Sequence, residues 1–158
     1  MTQSHIMPRF ILRDNLGKLA RELRFLGYDA AIYPQISFDN TLRIAKRENR
    51  IILTRNSREA NHKTEVKCLL IVSVLHQEQL AEIASLLRYD EEYIFSRCSK
   101  CNKKLYEIDK LKIISLVPEY IWQHHSEFKI CRHCGSIYWQ GDQYMDIKQR
   151  MSRLFEEG

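Results

Sequence analysis

The chain has 158 residues with 44% apolar side chains, enough for one well-packed domain or for a domain with a small appendage. Its formal net charge of +5 is spread along the chain, so a polyanion-binding surface and an ordinary mixed-charge surface both fit. No apolar run reaches the ~18–20 residues that cross a bilayer, and residues 1–8 lack the pattern of a secretory signal. We therefore expect a cytoplasmic protein without a membrane partner.

From about residue 9 to residue 90, short apolar runs alternate with amphipathic stretches. The pattern predicts strands at 10–12, 29–33, 51–54 and 68–74, and helices at 16–26, 39–48 and 78–87. Gly27 is expected to end the first helix, and Ser37 or Asp39 to begin the second. This alternation predicts a mainly parallel sheet flanked by helices. Ligands of such sheets bind at the carboxyl ends of strands, which here are residues 13–15, 35–39 and 54–58.

Four of the five cysteines form two Cys-x-x-Cys pairs, Cys98 with Cys101 and Cys131 with Cys134. In a chain without a signal sequence, this spacing indicates metal binding and not disulfides. Four thiolates at about 2.3 Å form a closed tetrahedral shell, which predicts one structural zinc ion in a zinc ribbon. Free or redox-active thiol pairs and an iron–sulfur cluster are the alternatives. Cys68 lies alone in an apolar run and is interpreted as a small buried hydrophobe.

The change in composition divides the chain into three predicted parts. An α/β domain covers residues 9–94, a zinc ribbon covers residues 95–145, and a closing helix or tail covers residues 146–158. The first boundary falls near residues 90–96, between the last predicted helix and the first cysteine pair.

Several motifs together resemble one known family. Residues 9–29 contain Leu-Gly-Lys-Leu-Ala-Arg, and the similarity continues through residues 39–45, 51–55, 96–102, 117–118 and 131–141. The chain resembles the PIN-like RNase domain family named after the C-terminal region of the animal mutator-seven exonuclease. The resemblance covers residues 9–145. It implies a PIN-like α/β domain with a parallel sheet flanked by helices, a C-terminal zinc ribbon and metal-dependent ribonuclease ancestry.

The resemblance also implies a carboxylate cluster at the strand ends, which would hold Mg²⁺ or Mn²⁺ and activate a water molecule. The chain departs from this pattern where the family has acids at the positions of Arg13 and Asn56, and commonly a His at Gln143. Asp39 is retained, and Asp14 lies one residue beyond the first acidic position. Two expected metal-binding acids are therefore replaced, so Mg²⁺ or Mn²⁺ is expected only if the nuclease site is active.

These observations predict an RNA-binding PIN-like protein of ribonuclease ancestry that is weak or inactive as a nuclease. The candidate RNA-binding residues are basic side chains on or near the elements that face the former active site: Arg13, Lys18, Arg21, Arg55 and Arg58. Arg24 is likewise expected on a polar face of the first helix. A solvated helix face is the plainer interpretation of the same basic residues.

Two alternative functions stay open. In the first, the chain is an active metal-dependent ribonuclease with a rearranged cluster; its candidate catalytic positions are Asp14, Asp39 and the degenerate Asn56. Asp29 or Asp90 would complete that cluster. In the second, the chain is a protein-interaction module in a larger assembly, with a protein partner that the sequence does not name.

Aromatic residues of the ribbon also admit two interpretations. Tyr138, Trp139 and Tyr144 are candidates for stacking on RNA bases. Packing inside the ribbon is the other interpretation and the favoured one.

Overall fold

The computed structural model describes residues 7–156. Two predictions therefore fall partly outside the described residues: the absence of a secretory signal, at residues 1–6, and the closing helix or tail, at residues 157–158. The described chain forms two compact units: residues 7–23 with 28–88, and residues 24–27 with 89–156. No helix in residues 7–156 is both long and apolar enough to span a bilayer. The domain limits 9–94, 95–145 and 146–158 stay a prediction, since compact packing does not by itself show independent folding.

The first unit is built on one parallel sheet. Its elements in chain order are β1 (Arg9–Leu12), α1 (Gly17–Phe25), β2 (Ala30–Ile32), α2 (Phe38–Glu48), β3 (Arg50–Thr54), α3 (Ser57–Ala60), β4 (Cys68–Leu70) and α4 (His76–Glu82). The last two residues of α1 belong to the second unit. The strand order is β2-β1-β3-β4, and every pairing is parallel. The predicted α/β class, with a parallel sheet flanked by helices, is confirmed.

The central strands are continuous apolar runs because both faces of the sheet are covered. In β1, residues 10–12 are all buried, as expected for a central parallel strand. Ile11 packs in one cluster with Ala45 of α2 and Ile52 of β3. The parallel order brings the carboxyl ends of β1 and β3 to the same edge of the sheet, so Arg13 and Arg55 follow neighbouring strands.

The fourth strand is shorter than predicted. β4 ends at Leu70, not at Val74. The backbone N–H groups of Val72 and Ser73 donate to the Glu82 carboxylate at 2.8 and 3.1 Å, so a side chain takes the place of a strand partner. An apolar run alone does not reveal this, because the carboxylate comes from the following helix.

The last predicted helix of the first unit is also wrong in its bounds. The helix predicted at 78–87 begins at His76 and ends at Glu82, and a 3-10 helix at Ala84–Leu86 follows. The N–H of Leu87 donates to the carbonyl of Ala84 at 3.0 Å, which is the tighter spacing of a 3-10 turn. Leu87 still reaches the interior, so the predicted apolar face is kept while the helix type changes.

The second unit has a small antiparallel sheet. Its elements are β5 (Tyr106–Ile108), α5 (Glu119–His124), β6 (Phe128–Ile130), β7 (Ile137–Tyr138) and α6 (Asp142–Glu156). The strand order is β5-β6-β7. Ile113, Val117 and Phe128 form a core cluster in this unit. Helix α6, which starts earlier than the predicted closing helix, buries Ile147 and Met151.

Candidate functional site

The second unit gathers the paired cysteines at one point. All Sγ atoms lie within 4.8 Å of one another in the group Cys98, Cys101, Cys131 and Cys134. Cys98 Sγ and Cys134 Sγ are 3.7 Å apart, and sulfurs of a tetrahedral zinc shell are roughly 3.8 Å apart when each bond is about 2.3 Å. Within residues 7–156, this is the one group of three or more His, Cys, Asp or Glu side chains close enough to hold a metal ion. The four sulfurs could therefore hold a metal such as zinc.

The two cysteine segments share one backbone structure, which we call the first knuckle (residues 98–103) and the second knuckle (residues 131–136). The N–H of Asn102 donates to the carbonyl of Cys98 at 2.9 Å, and the N–H of Gly135 to the carbonyl of Cys131 at 2.8 Å. Asn102 and Gly135 have φ angles of 61° and 78°, in the left-handed region that Asn and Gly tolerate best. Each knuckle turns sharply enough to direct two sulfurs to the same point.

The two knuckles differ in exposure and in thiol acidity. Cys98 is fully buried in the first knuckle, whereas Cys134 is exposed in the second. Hydrogen bonding of the Cys134 sulfur with the side chain and the backbone of Ser136 lowers the pKa of this thiol to about 6, which favours the thiolate that binds metal. Burial raises the pKa of Cys101 to about 12, and its sulfur neighbours add to the effect. A cation is what would allow all four sulfurs to be thiolates together.

At the carboxyl edge of the parallel sheet, Arg13 directly follows β1. Its Nε donates to Oε1 of Glu59 at 3.2 Å, and its Nη1 donates to Oγ1 of Thr41 at 2.6 Å. Nη1 also donates to the carbonyl of Ile36 at 3.2 Å. The side chains of Arg13 and Glu59 are 19% and 15% exposed. The positive charge at this edge is therefore compensated by a carboxylate of the same unit.

Glu59 is the acidic residue at this edge that sequence reasoning did not identify. The hydroxyl of Thr54, at the end of β3, donates to Oε1 of Glu59 at 2.7 Å. Oδ1 of Asn56 accepts the backbone N–H groups of Arg58 and Glu59 at 2.9 and 3.4 Å, so Asn56 caps α3. Helix α3 is a single turn that the sequence pattern did not predict. No periodic signal could therefore have placed Glu59 beside the strand end.

The retained acid Asp39 and the displaced acid Asp14 belong to no metal-ligating cluster among the described residues. Oδ2 of Asp14 accepts the backbone N–H of Gln35 at 2.8 Å, and Gln35 has a left-handed φ of 62°. Asp39 is exposed in the first turn of α2. In the described part of the chain, neither belongs to a group of three or more metal-ligating side chains. Their assignment as catalytic residues, with Asn56, stays a prediction.

The two further acids of a rearranged cluster have other partners. Asp29 precedes β2, at the amino edge of the sheet, and accepts hydrogen bonds from Arg50 Nη1 at 2.6 Å and Arg9 Nε at 3.3 Å. Asp90 belongs to the second unit, where its side chain accepts the N–H of Glu92 at 3.0 Å and caps a 3-10 helix. Asp29 therefore pairs with arginines at the edge of the sheet opposite to Arg13.

Four of the five candidate RNA-binding residues are exposed. These are Lys18 and Arg21 on α1, Arg55 after β3 and Arg58 on α3. The guanidinium of Arg13 is instead engaged with its own unit. Acidic side chains, among them Asp14 and Asp39, are interspersed with the basic ones.

The aromatic residues of the ribbon pack in the second unit. Tyr138 and Tyr144 are 9% and 7% exposed. Both rings meet Phe95 edge-on, with ring centroids 5.5 and 5.4 Å apart. Trp139 lies against Phe128 at 6.4 Å. The packing interpretation therefore accounts for Tyr138 and Tyr144.

These observations define a class of protein: a unit with a parallel sheet flanked by helices, and a unit that carries four cysteines close enough to hold a metal. The chain belongs to the Mut7-C RNAse domain family, which matches residues 8–151. The resemblance to this family is thereby confirmed, and the α/β unit is RNase-related. No curated protein and no solved structure matches the chain significantly.

Proposed function

We propose that this chain is an RNA-binding, PIN-like protein of ribonuclease ancestry, with little or no metal-dependent nuclease activity and with one structural zinc ion. The single observation that carries the proposal is the ion pair of Arg13 and Glu59, 3.2 Å apart at the carboxyl edge of the sheet. Nucleases of this ancestry need that edge to attract divalent cations. In this chain the guanidinium of Arg13 already places a positive charge at that edge.

The physical argument is one of charge and ligand number. Mg²⁺ and Mn²⁺ prefer several oxygen ligands with negative charge. Oε1 of Glu59 accepts hydrogen bonds from both Arg13 and Thr54, and Arg13 already compensates the charge of the carboxylate. The oxygen of Asn56 is committed to capping α3. A divalent ion would have to displace these bonds and lie beside the guanidinium, which disfavours its binding.

RNA binding is supported by family membership and by the exposed basic residues of the first unit. Lys18, Arg21, Arg55 and Arg58 are exposed and could contact phosphates. Each phosphate contact made to a single strand contributes roughly −0.7 to the slope of log affinity against log salt. We therefore expect an affinity that falls steeply with salt and is weakened by Arg55→Glu or Arg58→Glu.

Zinc is the ion that the four cysteines suit best. Thiolates are soft ligands, and a Cys₄ shell leaves no position open for water or substrate. The ion would stabilise the second unit, and no reaction would take place on it. A purified protein without stoichiometric zinc would contradict this part of the proposal.

The decisive experiment measures binding and cleavage of total cellular RNA in parallel, with and without Mn²⁺. We expect salt-dependent binding and no Mn²⁺-dependent cleavage. Cleavage that disappears in Asp14→Ala or Asp39→Ala would show instead an active ribonuclease with a rearranged cluster. Absence of RNA binding at low salt would favour a protein-interaction module.

A gain-of-acid variant tests the charge argument directly. Arg13→Asp combined with Asn56→Asp places two carboxylates near Glu59, so Mn²⁺ should raise its melting temperature but not that of the wild type. A control with the same charge change, Arg21→Asp with Asn61→Asp, alters exposed positions of the same unit. An equal response of both variants to Mn²⁺ would refute a specific role for the strand end.

A further inference from the structure

Arg24 is buried with 7% exposure although it carries a full positive charge. Its Nη1 donates to the carbonyl of Ser99 at 2.9 Å and to that of Lys100 at 3.4 Å. Both carbonyls lie inside the first knuckle, between Cys98 and Cys101. Burying a guanidinium is costly unless polar partners and nearby negative charge compensate it. Its place against this knuckle therefore indicates a role at the cysteine cluster.

Tyr138 meets the same knuckle from β7. Its hydroxyl accepts the backbone N–H of Ser99 at 3.0 Å and lies 3.3 Å from Sγ of Cys98. The hydroxyl oxygen also lies 3.1 Å from Oγ of Ser99. Because the backbone N–H supplies one bond to the oxygen, the phenolic proton can be directed at the sulfur. Tyr138 is thus placed to donate a hydrogen bond to a buried thiolate.

We infer that Arg24 and Tyr138 are positioning residues that preform the first knuckle and offset the negative charge of the metal-loaded cluster. Four thiolates around a divalent ion leave a net charge of about −2. Arg24 provides a buried positive charge beside that shell, and Tyr138 provides a donor to one of its sulfurs. The inference rests on the proposed zinc site and adds that metal retention is governed at the first knuckle.

The second knuckle supplies a matched control for Arg24. Arg132 lies between Cys131 and Cys134, so it has the same charge as Arg24 and is next in sequence to a proposed zinc ligand. It is exposed, and its guanidinium lies over the ring of Tyr106 at 3.7 Å, not on a knuckle carbonyl. Any effect of net charge alone should therefore appear equally in variants of Arg24 and Arg132.

Tyr144 supplies the matched control for Tyr138. Both tyrosines are buried in the second unit and both pack edge-on against Phe95. Tyr138 contacts Cys98 and Ser99, whereas Tyr144 has no hydrogen bond to either knuckle among the described residues. Replacing each tyrosine by Phe removes a hydroxyl and keeps the ring.

The experiment is competition for zinc between the loaded full-length protein and a chromogenic chelator, which reports both affinity and release rate. Arg24→Met and Tyr138→Phe should each lower zinc affinity roughly 10- to 100-fold, as is usual when a group supporting a metal ligand is lost. Arg132→Met and Tyr144→Phe should stay close to the wild type. Co²⁺-loaded samples should show altered thiolate-to-metal absorption in Tyr138→Phe but not in Tyr144→Phe.

Arg24→Lys keeps the inference testable if Arg24→Met fails to fold. Lys retains the charge but lacks the planar donor group, so it should fold and show a smaller loss of zinc affinity. Equal zinc affinities for the Arg24 and Arg132 variants, or for the two Tyr→Phe variants, would overturn the inference while the zinc site itself stands. A wild-type protein without stoichiometric zinc would overturn the zinc site and the inference together.

Discussion

The two units handle concentrated charge in opposite ways. At the carboxyl edge of the parallel sheet, Arg13 and Glu59 are opposite charges 3.2 Å apart, so this pair is balanced without an added ion. In the second unit, four sulfurs lie within 4.8 Å of one another, and as thiolates they would repel. The difference teaches that the demand for a metal follows from the balance of charge among a site's own side chains. Acids or sulfurs close to a strand end do not by themselves create a demand for a metal ion.

Removing the proposed zinc ion from the second unit should have the largest effect. Cys98→Ser, or treatment with a chelator, should unfold this unit, because structural zinc contributes about 10–16 kcal/mol in small zinc domains. Both tryptophans, Trp122 and Trp139, belong to the second unit, so tryptophan fluorescence during denaturation reports on it specifically.

The control for the metal prediction is Cys68→Ser. Cys68 starts β4 of the first unit and lies outside the four-cysteine group. Its replacement should change stability little and should leave the zinc content unchanged. If Cys98→Ser behaved like Cys68→Ser, the claim that the second unit needs a cation would be wrong.

The thiols of the two units should differ next most strongly in reactivity. In a short alkylation pulse applied as soon as the chelator is added, before the second unit unfolds, Cys134 should be modified first at neutral pH. Its pKa is lowered to about 6 by Ser136, so its thiolate dominates above that pH and is lost as the pH falls through it. Burial raises the pKa of Cys68 to about 11, which leaves roughly one thiolate in ten thousand at pH 7.

Mass spectrometry of the modified peptides at a series of pH values measures this difference. Bound zinc should protect Cys134 and leave the reactivity of Cys68 unchanged. Equal rates for the two cysteines at every pH would show that the hydrogen bonds at Cys134 do not activate its sulfur.

Breaking the balanced pair of the first unit should have an intermediate effect. Arg13→Leu leaves the Glu59 carboxylate without its cation, and we expect a loss of about 1–2 kcal/mol because both side chains are only partly buried. The double variant Arg13→Leu with Glu59→Leu should recover part of this loss, since no unpaired charge is left.

Chemical denaturation of the two single variants and the double variant gives the interaction energy of the pair. Arg58→Leu is the control, because Arg58 is exposed on the same short helix as Glu59. An interaction energy near zero would mean that Arg13 and Glu59 do not stabilise each other. The first unit would then not be an example of charge balanced by its own side chains.

The smallest effect concerns Asn56. Asn56→Ala removes the cap of α3 and should cost about 1 kcal/mol. Asn56→Asp keeps an oxygen that accepts the same two N–H groups, so its stability should stay near that of the wild type. Thermal melts of the two variants distinguish a cap from a residue that acts only as a degenerate metal ligand. A loss in Asn56→Asp as large as that in Asn56→Ala would argue against the cap.

Several elements could be predicted because their signals are local. The apolar run of β1 and the helical spacing in α1 indicated a buried strand followed by a helix, and the Cys-x-x-Cys pairs indicated a shared metal site. The bounds of β4 could not be predicted, because Glu82 from a later helix ends the strand. The importance of Glu59 could not be predicted either, because α3 is too short to show a period.

The sequence by itself determined the α/β class, the family and the four cysteines, since each depends on residue types at short, regular spacings. Only the tertiary structure decided which charges are compensated. Arg13 meets Glu59 across 46 positions, and Arg24 meets Ser99 across 75. On the sequence alone, both arginines belong to a basic set that suits RNA. Folding engages Arg13 in a partly buried ion pair and buries Arg24 against the first knuckle, because charge compensation depends on distances in space that no local pattern contains.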